Sequence, residues 1–248
     1  GPHWTGEQRG ADDSLPATSG GNEAKTARVV DASSGKVRWN RKSDQPVPIA
    51  SMTKMMTGLL GLEEVESNPG RTLDTVIPVS KAAFRIGGSQ VWLDPRESFS
   101  LRELLISIMV KSANDSSYLV AEYIMQSDMN AFIRKMNERA TELGMLHTRF
   151  RNAHGLPEKE GSNTASCEDL AKLAHVLIQH ENVTQWASIQ RHTFRPNADQ
   201  PTILDNHNRL ILTTPGVDGL KTGYTSKAGF CVTATCLGDD GRLIVVVT

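Results

Sequence analysis

The sequence predicts a mixed α/β fold of the α+β kind, in which an antiparallel sheet built from both ends of the chain carries an inserted helical lobe. Three observations lead there. Short β-patterned segments with turn residues occur near residues 26–40 and again beyond residue 217. Between them, apolar residues recur at three and four spacing, the period of amphipathic helices. Strands at the two ends bury an apolar face most simply by pairing with each other and packing the helices against the sheet.

Each element has its own local reason. Residues 1–25 are rich in Gly, Ser, Thr, Asp and Glu without apolar periodicity and are expected to form a disordered tail. The chain opens Gly1-Pro2-His3 with no charged-then-apolar leader, as expected of a processed start. Thr26–Asp31 and Lys36–Asn40 flank Ser33-Ser34-Gly35, the pattern of a β-hairpin. Ser51–Leu62, Leu101–Met125 and Asp128–Gly144 read as helices, the last closing at its glycine. Ser166-Cys-Glu-Asp169 opens a further helix in the manner of a capping box. Val217–Lys221, Phe230–Leu237 and Leu243–Val247 return to strand, joined by turns such as Gly238-Asp-Asp-Gly241. The expected organisation is one folded unit over residues 26–248. Its sheet lobe takes about 26–50 and 200–248, its helical lobe about 51–199, and a cleft forms where the two meet.

Composition excludes several function classes. Lys and Arg number 27 against 28 Asp and Glu, so the basic excess of a nucleic-acid or membrane-surface binder is missing. The longest apolar runs, Leu104–Val110 and Leu243–Val247, fall far short of the roughly 20 residues of a spanning helix. Cys167, Cys231 and Cys236 are too few and too irregular for a disulfide framework or a Cys-x-x-Cys metal site. The last two, five apart on one strand, are expected on opposite faces. The histidines include no metal-binding H-E-x-x-H pair, and neither a metal nor another cofactor is expected.

Three short motifs carry the chemistry. In Ser51-Met-Thr-Lys54 the hydroxyl and the amine share one helix face. Such a pair occurs about once by chance in a chain of this length, and Ser33-Ser-Gly-Lys36 is a second copy, in a solvated hairpin turn. Ser112-Ala-Asn114, followed by Asp115, interrupts an apolar helical stretch with polar groups that need partners; alone it reads as a helix kink. Lys221-Thr222-Gly223 ends a strand with a glycine that permits close backbone approach; alone it reads as a turn with an exposed lysine. Their order, with separations of 61 (112 − 51) and 109 (221 − 112) residues, changes the reading. S-x-x-K with S-D-N and K-T-G is the signature of class A β-lactamases and penicillin-binding proteins.

Further segments extend the match. Val29–Lys36, Pro48–Thr57, Gly88-Ser-Gln-Val91, Asn152-Ala-His-Gly-Leu-Pro157, Val217–Thr225 and Ala228-Gly-Phe230 resemble the D-alanyl-D-alanine carboxypeptidases, the low-molecular-mass penicillin-binding proteins of the serine DD-peptidase family. The resemblance spans about 220 residues, Ala27 to Val247. It implies a β-lactamase/transpeptidase-like architecture.

A serine hydroxyl must lose its proton as it attacks, and a lysine serves as the base only when neutral. Burial and a second cation both favour the neutral amine, so Lys221 facing Lys54 across the cleft suits Ser51 as nucleophile and Lys54 as general base. A nucleophile at a helix start also places its own N–H where an oxyanion develops. The resemblance implies the remaining roles. The backbone N–H of Tyr224, after Gly223, is the second oxyanion donor; Ser112 passes a proton to the departing amine; Asn114 bonds the acyl side of the substrate. Lys221, Thr222 and Thr225 hold the terminal carboxylate.

The implied reaction removes the terminal D-alanine from peptidoglycan stem peptides ending in D-Ala-D-Ala through an acyl-enzyme on Ser51, which β-lactams also acylate. The implied location is the bacterial periplasm or the outer face of the cell envelope, with no membrane anchor visible in this chain. A DD-endopeptidase would use the same residues in a cleft of different shape, and a non-catalytic peptidoglycan-binding protein would not need the nucleophile and base. A class A β-lactamase needs a Glu-x-x-x-Asn, whereas Glu158 and Glu160 lie five and three residues before Asn163.

Two positions depart from the family pattern. Arg96 occupies a turn that often holds Gly, and His207 lies where some relatives carry an Arg. If His207 replaces that cation, activity is expected to fall as it deprotonates near neutral pH. The resembling enzymes continue past the last strand into a helix that packs on the sheet. A chain without that helix is expected to leave an apolar sheet face exposed, with low stability or association.

Overall fold

The computed structural model describes residues 25–226 and 229–248, with Thr225 described by its backbone alone. The expected tail, apart from Lys25, and Ala228 of the quoted segments lie outside them.

The hairpin forms as read, β1 (Ala27–Asp31) and β2 (Val37–Arg41), closed by Asp31 Oδ1 accepting from the Ser33 and Ser34 N–H groups. Strand β3 (Val47–Pro48) leads into a 3-10 turn, η1 (Ala50–Thr53), that runs straight into α1 (Lys54–Ser67). Then come β4 (Val76–Pro78), α2 (Lys81–Phe84) and β5 (Ser98–Ser100). The stretch read as one helix over 101–125 is two, α3 (Leu101–Lys111) and α4 (Asn114–Ile124). Ser112 breaks it by taking the left-handed conformation, φ 60° and ψ 45°, a position that ends helices. The remainder is α5 (Met129–Glu142), β6 (Thr164–Ala165), α6 (Cys167–Leu177), α7 (Glu181–Ala187), β7 (Arg191–Phe194), β8 (Thr202–Asp205), α8 (Leu210–Thr213), β9 (Val217–Thr225), β10 (Gly229–Gly238) and β11 (Gly241–Val247). Ser166 caps α6 by accepting from the Asp169 N–H.

The main sheet is antiparallel in the order β2-β1-β11-β10-β9. Both chain ends meet at its centre, where Ala27 pairs with Val247 and Val30 with Ile244. Residues 202–205, within the region assigned to the sheet lobe, pair with 191–194 in a separate hairpin. Strand β9 does not end at Lys221-Thr222-Gly223 but continues to Thr225, because Gly223 and Tyr224 pair with Cys231 and Phe230. The face carrying Val30, Cys231, Thr233, Ile244 and Val246 is buried, while Cys236 points to the other, partly exposed face.

Helix α1 is the axle of the helical lobe. Met52, Met55, Met56 and Leu59 are fully buried, and Gly61 leaves room for α3 and α4. A Cβ there would stand 3.2 Å from Leu105 Cδ2 and 3.4 Å from Val120 Cγ1. Sheet and helices share one apolar core, which fixes η1 against β9 and β10. Among the described residues, no helix is long and apolar enough to cross a membrane.

Candidate active site

Ser51 sits in the first turn of η1, where backbone N–H groups have no partner inside the helix. Lys54 begins α1 one turn later, and its Nζ lies 2.8 Å from Ser51 Oγ. The same nitrogen donates to the carbonyl of His154 at 2.8 Å. Lys54 is wholly buried. Burial first, and the nearby Lys221 second, hold its pKa well below the ordinary lysine value, against a smaller opposite pull from Asp115. A neutral amine keeps N–H donors for the carbonyl and a lone pair for the serine proton.

Lys221 projects from the buried face of β9, opposite Thr233, and is also nearly wholly buried. Burial brings its pKa down to about 7. Both lysines are thus driven toward the neutral form, Lys54 by burial and the second cation, Lys221 by burial.

Strand β9 presses against η1. A Cβ on Gly223 would stand 3.0 Å from Ser51 N and 3.2 Å from Ala50 Cβ, tighter than side chains normally pack, so glycine lets the two backbones meet. Beneath them the Cys231 thiol faces the carbonyls of Ile49 (3.7 Å) and Gly223 (3.5 Å). Because β9 is an edge strand, backbone groups on its free side have no strand partner, and these face η1 and the cleft. Tyr224 is next, its ring 72% exposed.

Ser112 lies across the cleft, held in its left-handed turn by its N–H bonding the Ile108 carbonyl. Its buried hydroxyl has no hydrogen-bond partner among the described residues. Ser51, Ser112, Thr222, Gly223 and Tyr224 line one cleft of about 1200 Å³. Asn114 does not line it. Its Nδ2 donates to the Gly87 carbonyl at 3.0 Å and its N–H to the Ser89 carbonyl at 2.8 Å, so it pins the segment from which Ser89 reaches the cleft. Gly88, φ +73°, belongs there because a Cβ would meet Asn114 Nδ2 at 2.5 Å. Thr225 is placed on β9 by its backbone; its side chain lies outside the described residues.

Several supporting residues escape sequence reasoning. Asn152 Oδ1 accepts from the N–H groups of His154 and Gly155, and Asn163 Nδ2 donates to Thr53 Oγ1 and to the Asn152 carbonyl. Together they tie the 152–156 loop, and with it the His154 carbonyl, to η1 and α1. The quoted Asn-Ala-His-Gly-Leu segment is the only sequence signal for this. Arg96 sits outside the left-handed region, its guanidinium on Asp94, so its turn accepts a residue other than Gly.

His207 lines the cleft and bonds the Val110 carbonyl through its N–H. Burial, then Lys221, Lys111 and Lys54, lower its pKa to about 4. Its surroundings thus favour the neutral imidazole over the cation considered from the sequence. If Lys221 must be charged to hold the substrate carboxylate, kcat/KM is expected to fall as pH rises through its ionisation, near 7. Between pH 5.5 and 8 the shape of the profile is expected to be unchanged in His207→Ala. Rates of D-alanine release across that range check both statements.

A serine in hydrogen-bond contact with a buried lysine at the start of a helix, in a cleft between an antiparallel sheet and a helical lobe, is an arrangement of the penicillin-binding protein and β-lactamase-like fold. The chain belongs to peptidase family S11, D-alanyl-D-alanine carboxypeptidase, which matches residues 14–248. It is 39% identical over 226 residues to D-alanyl-D-alanine carboxypeptidase DacF of Bacillus subtilis (strain 168), covering 91% of this chain and 57% of the relative. Its fold matches that of D-alanyl-D-alanine carboxypeptidase DacD from Francisella tularensis with a TM-score of 0.85 and 26% identity, over 94% of this chain and 67% of that one. It also matches penicillin-binding protein D2 from Listeria monocytogenes, solved in an ampicillin-bound form, with a TM-score of 0.79 and 30% identity, over 90% of this chain and 88% of that one. The chain thus spans less than two thirds of the length of DacF.

Proposed function

We propose that this chain is the catalytic part of a serine DD-carboxypeptidase that removes the terminal D-alanine from peptidoglycan stem peptides outside the cytoplasm. The observation that carries the reading is the 2.8 Å contact of Ser51 with a fully buried lysine whose burial and neighbouring Lys221 favour the neutral amine.

In the first step Ser51 Oγ attacks the penultimate carbonyl carbon while its proton passes to Lys54 Nζ. Charge gathers on the carbonyl oxygen, which the N–H groups of Ser51 and Tyr224 take up. The C–N bond then breaks as the proton held by Lys54 passes through Ser112, whose buried hydroxyl has no partner among the described residues, to the departing amine, leaving Lys54 neutral again. D-Alanine leaves, and water, deprotonated in turn by Lys54, hydrolyses the ester and frees Ser51. Charged Lys221 with Thr222, and the adjacent Thr225, hold the substrate carboxylate. Asn114 acts by fixing the Gly87–Ser89 wall beside the acyl group. The free edge of β9 offers the peptide backbone an extra-strand position. β-Lactams acylate Ser51 by the same first step.

The test pairs a fluorescent penicillin with an acyl-D-Ala-D-Ala peptide. Labelling together with free D-alanine is expected, both abolished in Ser51→Ala. Labelling without D-alanine release moves the reading to cross-link endopeptidase activity, rapid turnover of the penicillin moves it to a β-lactamase, and no labelling ends the nucleophile assignment.

A further inference from the structure

The segment Val91-Trp92-Leu93 is clamped from two sides. Asp115 accepts from the Val91 N–H at 3.2 Å through Oδ1 and from the Leu93 N–H at 3.1 Å through Oδ2. Arg195 donates to the carbonyls of Val91 at 2.9 Å and Trp92 at 2.8 Å. Arg195 is itself fixed, bidentate on Glu97 at 2.6 and 2.7 Å and close to the rings of Phe99 and Phe194. The side chains of Val91 and Leu93 are fully buried. What the clamp leaves outside is the Trp92 indole, 60% exposed.

Trp92 has φ +54°, a left-handed conformation unfavourable for a bulky residue. A turn needed only to reverse the chain would carry Gly or Asn here. Strain of this kind persists where the surroundings over-determine it, and it clusters at ligand clamps. Lys111 Nζ stands 5.9 Å over the indole, and Lys111 lines the catalytic cleft next to Ser112. The indole, on a backbone clamped in place, lines a neighbouring depression with Asp94, Glu97 and Arg195, and Lys111 links it to the catalytic cleft.

We propose that Trp92 and Lys111 form a sugar subsite, in which the indole stacks on the C–H face of an N-acylated amino sugar of the glycan and Lys111 donates to its acetamido or hydroxyl oxygens. This rests on the peptidoglycan reading above. A stem peptide of small aliphatic and acidic residues offers no flat apolar surface to an indole. A pyranose ring does, and a peptide of three to four extended residues, about 10–14 Å long, separates it from the scissile bond.

The test compares a free pentapeptide ending in D-Ala-D-Ala with the same peptide on its N-acetylglucosaminyl-N-acetylmuramyl disaccharide. In Trp92→Ala, kcat/KM for D-alanine release from the disaccharide substrate is expected to fall about tenfold, chiefly through KM. The free peptide is expected to stay within about twofold, and Trp92→Phe to keep most of the preference. Equal losses on both substrates, or none on either, overturn the subsite. Tryptophan fluorescence of Ser51→Ala titrated with the disaccharide-pentapeptide gives a readout independent of turnover. Saturable quenching that disappears when Trp92→Phe is added supports the subsite, and its absence overturns it. If the parent protein releases no D-alanine from either substrate, the carboxypeptidase reading fails while the titration still decides the subsite.

Discussion

Lys54→Met is expected to slow acylation of Ser51 by about 10³- to 10⁴-fold, the scale on which removing a nucleophile's base acts, while the melting temperature changes little. The parent side chain is wholly buried, and its burial favours the neutral amine, so an unbranched apolar residue of similar length fits its space. What is lost is the lone pair 2.8 Å from Ser51 Oγ and the donor to the His154 carbonyl. Lys54→Arg is expected to fail as well, because a guanidinium stays protonated and cannot act as a base. The rate of labelling by a fluorescent penicillin, measured beside a thermal melt, checks both. A parent-like labelling rate in Lys54→Met would remove Lys54 from the role of base.

Gly155→Ala is expected to damage fold and activity together. A Cβ at Gly155 would stand 2.0 Å from the Ala50 carbonyl oxygen and 3.0 Å from Ser51 N, and its φ of +100° already disfavours any L side chain. Backbone has to move on one side or the other, at a cost of about 3 kcal/mol. For a chain of this size that lowers the melting temperature by about 6–12 °C. Because the displaced atoms adjoin the nucleophile's own N–H, penicillin labelling is expected to slow even at temperatures where the variant stays folded. Gly58→Ala is the control. Its Cβ would meet nothing within 4 Å, and in the interior of α1 alanine is expected to add about 0.5–1 kcal/mol. Melts of the two variants should move in opposite directions.

What could be read from the sequence was what is written locally. The hairpin turn at Ser33–Gly35, the Ser166 cap and the periodicity of α1 and α5 depend on neighbours in the chain, and the three motifs announce their chemistry by residue type. Tertiary partners decided the rest. The polar residues at 112–115 mark a kink in the helical stretch over 101–125, but that they split it into two helices is set by a left-handed turn at Ser112 and by the Asn114 N–H bonding Ser89. Whether the strand stops at Gly223 depends on what Cys231 and Phe230 do. The partner of Lys54 is a backbone carbonyl, a group every residue has, so no residue type at position 154 reveals it. The surroundings of His207 are not legible locally either, because its burial and the lysines near it, Lys221, Lys111 and Lys54, come from separate elements.

The pairing of Ala27 with Val247 has a kinetic consequence. Contacts separated by nearly the whole chain close the largest loops and form slowly. The Ser51–Lys54 pair lies within one turn of a helix and can form locally, but Gly223 and Tyr224 are held by β10, which is braced by β11 and β1. A folding chain is therefore expected to order the turn of Ser51 before strand β9 beside it. In refolding, labelling by a fluorescent penicillin is expected to lag behind the recovery of helix.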